Sequence, residues 1–134
     1  MMTQTTEMMK SMSMPAGMDM AAMQECIDQC SVCMQACSMC ADEMAGTSEM
    51  GRCAMLCMNC ADVCETTMRM MLRPSGMDMT AMRAMLEACM AMCQACMTEC
   101  RSHGDMSPAC AMCAQACEAC MTACRAMMDS MATA

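Results

Sequence analysis

The chain has 134 residues, a length that supports one domain with a single core. Its apolar 57% consists of 31 Met, 18 Cys and 22 Ala, with six Leu, Ile and Val in total and no aromatic residue, which excludes an ordinary aliphatic or aromatic core. A net charge of −8 without aromatics argues against phosphate neutralisation and base stacking, hence against nucleic-acid binding, and no apolar run approaches the roughly 20 residues of a membrane span.

Residues 1–14 read as a Met-rich leader in which Met8, Met9 and Met12 share one face of a short helix, although a disordered leader suits the same composition. The remainder, 15–134, is two copies of one hairpin. Pro15-Ala-Gly-Met-Asp-Met20 recurs as Pro74-Ser-Gly-Met-Asp-Met79, Gln35-Ala-Cys37 as Gln94-Ala-Cys96, and Cys53-Ala-Met55 as Cys110-Ala-Met112. Each copy holds two long segments rich in Ala, Met, Gln and Glu, so helices are predicted over 18–44, 49–72, 77–102 and 107–131.

Asp19 and Asp78 lie near the starts of the first and third helices. Ser48-Glu49 offers a cap and a first-turn acid to the second, and Ser107-Pro108 gives the fourth a cap followed by proline at the first helical position. Arg69, Arg73, Arg101 and Arg125 fall near C-termini, as the helix dipole favours. Short joints make sequential helices antiparallel neighbours. The expected fold is all-α, an up-down-up-down four-helix bundle.

The cysteines fix which helix faces meet. Cys26, Cys30, Cys33, Cys37 and Cys40 are spaced 4, 3, 4, 3, and Cys53, Cys57, Cys60 and Cys64 run 4, 3, 4. Cys89, Cys93, Cys96 and Cys100 run 4, 3, 4, and Cys110, Cys113, Cys117, Cys120 and Cys124 run 3, 4, 3, 4. This 3.5-residue period marks the inward seam of each helix, so the bundle is expected to have a Cys-lined core. Cysteine as a mere small hydrophobe explains the pattern poorly, because such a core buries little apolar area and keeps 18 oxidisable groups. A disulfide-linked structural bundle is the reading outside metal chemistry. Neighbours at i, i+3 or i, i+4 on one helix project too nearly parallel for a disulfide, which leaves bridges between helices in oxidising surroundings.

Metal binding uses the whole pattern, and ligand softness selects the metal. Thiolates suit Cu(I), Zn(II) and iron–sulfur clusters, but of these Cu(I) also favours the thioethers that abound here. Zinc knuckles and iron–sulfur motifs have spacings unlike continuous stripes. Exchanging S–H for S–Cu(I) keeps a buried core neutral, whereas zinc held by four thiolates leaves two negative charges per site. The expected function is high-capacity Cu(I) binding and storage, on the order of ten to twenty ions per chain by this neutrality argument. Zinc or mixed-metal sequestration of metallothionein type is the metal alternative.

Continued past the last Cys, the stripes reach Met44, Met50, His103 and Met106 at one end, a candidate mouth with thioether and imidazole ligands. At the other end Met23, Met71, Met82, Met85 and Met127 extend the seams, as ligands or as a plug. Off-seam Met34, Met58, Met90 and Met121 are expected to pack between helices or subunits. Asp28, Asp62, Glu65, Glu87 and Glu118 are expected on solvated faces. One histidine and a set of uniform cysteines offer no catalytic constellation, so an enzyme is not expected. Lys10 is the one basic residue of the leader and no export signal is visible, which points to the cytoplasm, with an exported mature form as the alternative.

The segments Cys26-Ile-Asp-Gln-Cys30, Cys60-Ala-Asp-Val-Cys64 followed by Met71-Leu-Arg-Pro-Ser75, and Cys113-Ala-Gln-Ala-Cys117-Glu-Ala-Cys120 followed by Cys124-Arg-Ala-Met127 closely resemble the bacterial copper storage proteins. The likeness covers about 18–131. It implies a bundle interior holding many Cu(I) ions on Cys thiolates, loading through one end, homotetramer assembly, and the 18 Cys as ligands. A copper chaperone or cuproprotein would then be the exchange partner. Members usually carry His near the bundle ends and aromatic residues elsewhere; here Met largely replaces both.

Overall fold

The computed structural model describes residues 4–47, 49–105 and 107–131. Five α-helices account for nearly all of them: α1 Gln4–Ser11, α2 Met20–Ala45, α3 Gly51–Met71, α4 Met79–Ser102 and α5 Pro108–Met131, with a 3₁₀ turn at Pro74–Gly76. No strand occurs among the described residues.

Local chemistry starts the helices. The Asp19 carboxylate accepts from the amides of Ala21 at 2.9 Å and Ala22 at 3.1 Å, and Asp78 accepts from Ala81 at 2.9 Å, so the repeated Gly-Met-Asp-Met segment caps α2 and α4 alike. The Ser107 hydroxyl accepts from the Cys110 amide at 3.3 Å, and Pro108 follows as the first residue of α5. α2, α3 and α4 each start two residues later than expected, at Met20, Gly51 and Met79, and α3 differs also in its cap. Its first helical residue is Gly51 and its cap position is Met50, without a side-chain bond, so Glu49 precedes the helix. The cause is a turn in which the Met50 amide donates to the Thr47 carbonyl at 3.0 Å, delaying helix entry by two residues. Ser48, the other half of the expected cap, lies outside the described residues.

α2 packs on α3 and α5, and α4 packs on the same two, so the four long helices form a ring in chain order around one axis. Sulfur contacts give the directions. Cys26 near the start of α2 meets Cys124 near the end of α5, while Cys40 near the end of α2 meets Cys110 at the start of α5. Cys53 of α3 meets Cys100 of α4, and Cys64 meets Cys89. These pairs run antiparallel, and the bundle is up-down-up-down. Ala41, Ala54, Ala61, Ala114 and Ala123 are buried beside seam cysteines, where small side chains let the helices approach closely.

α1 is anchored by one buried side chain, Met9, and shares a groove with the first turns of α2 at Met20, Ala21 and Gln24. Arg52–Glu99 at 3.2 Å and Arg101–Glu118 at 2.9 Å tie α3 to α4 and α4 to α5; as surface pairs they contribute about 0 to 1 kcal/mol each. No helix is long and apolar enough to cross a membrane among the described residues.

Candidate metal centre

All 18 cysteines are free and buried, and every one lies within 4.0 Å of another cysteine sulfur. Representative separations are 3.7 Å for Cys30–Cys120, 3.8 Å for Cys33–Cys117, 3.7 Å for Cys57–Cys96 and 3.7 Å for Cys60–Cys93. Contacts across the axis include Cys37–Cys96 at 4.0 Å and Cys57–Cys113 at 3.9 Å. Along the axis the thiols fall into overlapping groups of four whose sulfurs lie within 4.8 Å of one another. Examples are Cys30 with Cys89, Cys120 and Cys124, Cys33 with Cys60, Cys64 and Cys93, Cys37 with Cys96, Cys113 and Cys117, and Cys40 with Cys53, Cys57 and Cys100.

A metal–thiolate bond of about 2.3 Å puts two sulfurs on one ion about 4.0 Å apart in a trigonal site and about 4.6 Å apart in a linear one. The observed spacing therefore matches sulfurs that share ions, and it is well beyond the roughly 2.05 Å of a disulfide. Because the groups share members, one thiol can bridge two ions.

The electrostatics follow from burial and S–H···S bonding. Desolvation raises the Cys40 and Cys53 thiols above the usual range, since a lone thiolate there has no water to stabilise it. Hydrogen bonding with Cys124 lowers Cys26, while hydrogen bonding with Cys120 and Cys26 raises Cys124, so the shift falls on one member of the pair and not on that end of the bundle. Among the described residues no acid lies in the core to compete for a cation: Asp28, Asp62, Glu87 and Glu118 are exposed and Glu65 is half-buried.

At the expected mouth, Met44 is buried and its sulfur accepts from the Cys110 thiol at 3.6 Å, joining the thiol network directly. Met50 is buried at the N-terminus of α3. His103 closes α4, with Nε2 2.8 Å from the Glu99 carboxylate, whose other oxygen accepts from Arg52 at 3.2 Å. The Nδ1 atom of His103 is buried and has no hydrogen-bond partner. Nε2–H donation to Glu99 leaves Nδ1 with a bare lone pair, the arrangement in which a carboxylate orients an imidazole ligand. Met106 lies outside the described residues.

The opposite end is closed. Met23, Met71, Met82 and Met127 have no exposed surface. Each is seven residues along its helix from Cys30, Cys64, Cys89 and Cys120 respectively, four thiols joined by contacts of 3.7 to 4.0 Å. Seven residues are two turns, so the four thioethers form one level about 10.5 Å beyond that thiol level. Between the two levels lie Cys26 and Cys124 on α2 and α5, and Thr67 and Leu86 on α3 and α4, all fully buried.

Two of these were missed in the sequence. Thr67 fills the gap between Cys64 and Met71, its hydroxyl satisfied by the Val63 carbonyl at 2.7 Å, and Leu86 holds the seam position expected for Met85, which is half-buried. The 4, 3 spacing back from Cys93 through Cys89 to 86 and 82 carries that signal without regard to residue type. Met34, Met90 and Met121 pack partly buried against the core, while Met58 is half exposed.

A family model described as copper storage protein matches residues 19–129. The chain belongs to the copper storage protein family. Among solved structures it is similar to the Streptomyces lividans copper storage protein loaded with 10 copper equivalents, at 34% identity and a TM-score of 0.90 over 95% of this chain and 99% of that one. It is also similar to a cytosolic copper storage protein of Streptomyces lividans with five coppers, at 38% identity and a TM-score of 0.79 over 81% of this chain and 93% of that one. A histidine-to-alanine variant of the Streptomyces lividans protein matches at 38% identity with a TM-score of 0.83, over 87% and 99% of the two chains. No curated protein matches the chain in sequence. Copper storage, Cys-rich metal binding and the all-helical bundle thus come together in one molecule.

Proposed function

We propose that the chain stores multiple Cu(I) ions on its 18 core thiolates, with copper as cargo and no catalytic step. One observation carries this reading: every buried sulfur has a cysteine neighbour at 3.7 to 4.0 Å, and overlapping groups of four within 4.8 Å join these contacts along the axis, so no thiol stands alone. Each S–H replaced by S–Cu(I) leaves the charge of the core unchanged, so filling can proceed through the whole bundle.

Met44, Met50 and His103 serve as end ligands on this reading. Met44 supplies a thioether already in contact with Cys110, and His103 supplies the unpartnered Nδ1. Met106 is assigned there by register alone. The partner is a copper chaperone or recipient cuproprotein, the assembly a homotetramer and the compartment the cytoplasm. The Streptomyces lividans relative described as cytosolic supports the last of these.

Anaerobic titration of the reduced protein with Cu(I) against a competing chelator tests the reading. Ten or more tightly held equivalents per chain are expected, by analogy with the relative loaded with 10. Saturation at one or two would overturn storage.

A further inference from the structure

Between α2 and α5, the side of the bundle carries a cavity of about 230 Å³ lined by Ala36, Met39, Cys40, Ala109, Met112 and Cys113. Its floor is the thiol network. Cys40 and Cys113 retain about 1% exposure each, whereas the other sixteen cysteines have none. Its walls are the methyl groups of Ala36 and Ala109, which leave open a gap that a larger residue would fill.

At its rim stand Met39 and Met112, which are 72% and 60% exposed, a costly placement for apolar side chains and a useful one for thioethers. An open groove lined by Met39, Asp42, Glu43 and Ala109 adjoins it, so carboxylates flank the approach. Among the described residues at the Met44 end, Cys53, Cys100 and Cys110 are fully covered and Met44 and Met50 are buried.

We infer that this window is a lateral Cu(I) port, in which Met39 and Met112 capture the ion and pass it to Cys40 and Cys113. The inference rests on the copper-storage reading and adds to it a lateral route as the first way into the core, ahead of the Met44 end. Thioethers bind Cu(I) without deprotonation. In the transfer, Cu–thioether bonds break, Cu–thiolate bonds form, and one proton per engaged thiol leaves to solvent; copper remains Cu(I) throughout. From Cys40 the ion reaches the Cys40–Cys53–Cys57–Cys100 group, and from Cys113 the group with Cys37, Cys96 and Cys117.

Two readouts on the full reduced chain test the port. Substoichiometric N-ethylmaleimide on the apo protein, mapped by peptide mass, is expected to label Cys40 and Cys113 first. The Ala36→Leu/Ala109→Leu variant should slow that labelling about tenfold, and Met39→Leu/Met112→Leu should slow Cu(I) uptake from a weak chelator about tenfold while leaving maleimide labelling and final copper capacity unchanged. Unchanged helicity and capacity certify that each variant folds.

Labelling led by Cys53, Cys100 or Cys110 would overturn the port, as would an unaltered uptake rate in Met39→Leu/Met112→Leu. So would protection of Cys40 and Cys113 that grows with protein concentration, which would assign this face to contact between copies of the chain. A wild-type chain that holds only one or two coppers would instead sink the storage reading, whatever the labelling order.

Discussion

His103 shows how one side chain acquires a role from its neighbours. Glu99 lies one turn earlier on α4, between Arg52 and the imidazole, and its contact with Nε2 at 2.8 Å leaves Nδ1 buried and bare. An unpartnered buried nitrogen costs on the order of 1 to 3 kcal/mol, which a bound soft cation would offset. Replacing Glu99 with Gln keeps the shape but weakens the bias toward Nε2–H, and His103→Ala removes the donor altogether. Both changes are expected to slow early copper uptake while leaving total capacity within one equivalent of wild type, and His103→Ala more so. Stopped-flow transfer from a chromogenic chelator, followed by copper analysis at saturation, checks this. Equal early rates in all three proteins would remove His103 from the uptake chemistry. Glu99 itself was not legible as a partner in the sequence, because i, i+4 acids are common on solvated helix faces and only the fold shows Arg52 arriving from α3.

The helices were readable because two signals agree in each: a seam with a 3.5-residue period and punctuation at the joints. α2 and α4 display this most fully. Each begins one residue after an aspartate that accepts from first-turn amides, and losing such a cap costs typically about 1 kcal/mol. Asp78→Ala is accordingly expected to lower the stability of the reduced apo chain by about 1 kcal/mol, measured by urea unfolding followed by circular dichroism, with copper capacity unchanged. A loss above about 3 kcal/mol would mean that Asp78 does more than cap α4. The start of α3 was less legible. Its cap position is Met50, a residue with no capping side chain, so a turn bond to Thr47 and burial of Met50 set the boundary in place of local propensity. The exchange of Met85 for Leu86 has a similar cause: composition suggested a methionine at the closed end, while helical geometry places 82, 86, 89 and 93 on one line. The window between α2 and α5 is a tertiary feature altogether, since Ala36 and Ala109 lie far apart in sequence and only packing brings them to one gap.

At the scale of the molecule, the bundle is asymmetric along its axis, and its thiols differ in how firmly they hold their protons. One end is sealed by four thioethers above Cys26 and Cys124; the other carries Cys40 and Cys53 beneath Met44, Met50 and His103. Copper binding to a thiol displaces its proton, so a thiol that burial has raised stays protonated through neutral pH, and its copper affinity falls as pH drops across that whole range. A thiol lowered by hydrogen bonding carries less proton to displace above its own pKa, and its copper survives to more acid conditions. The sign follows directly. On acidification of the loaded protein, copper is expected to leave thiols raised by burial, such as Cys40 and Cys53, before a lowered thiol such as Cys26, with affinity at the former falling about tenfold per pH unit for each proton taken up. Maleimide trapping of thiols freed at stepped pH under anaerobic conditions, mapped by peptide mass, reads the order. Release that begins at Cys26, or that occurs at all 18 thiols together, would show that the network exchanges copper internally faster than any one thiol loses it, and would make the bundle one pool instead of a graded store.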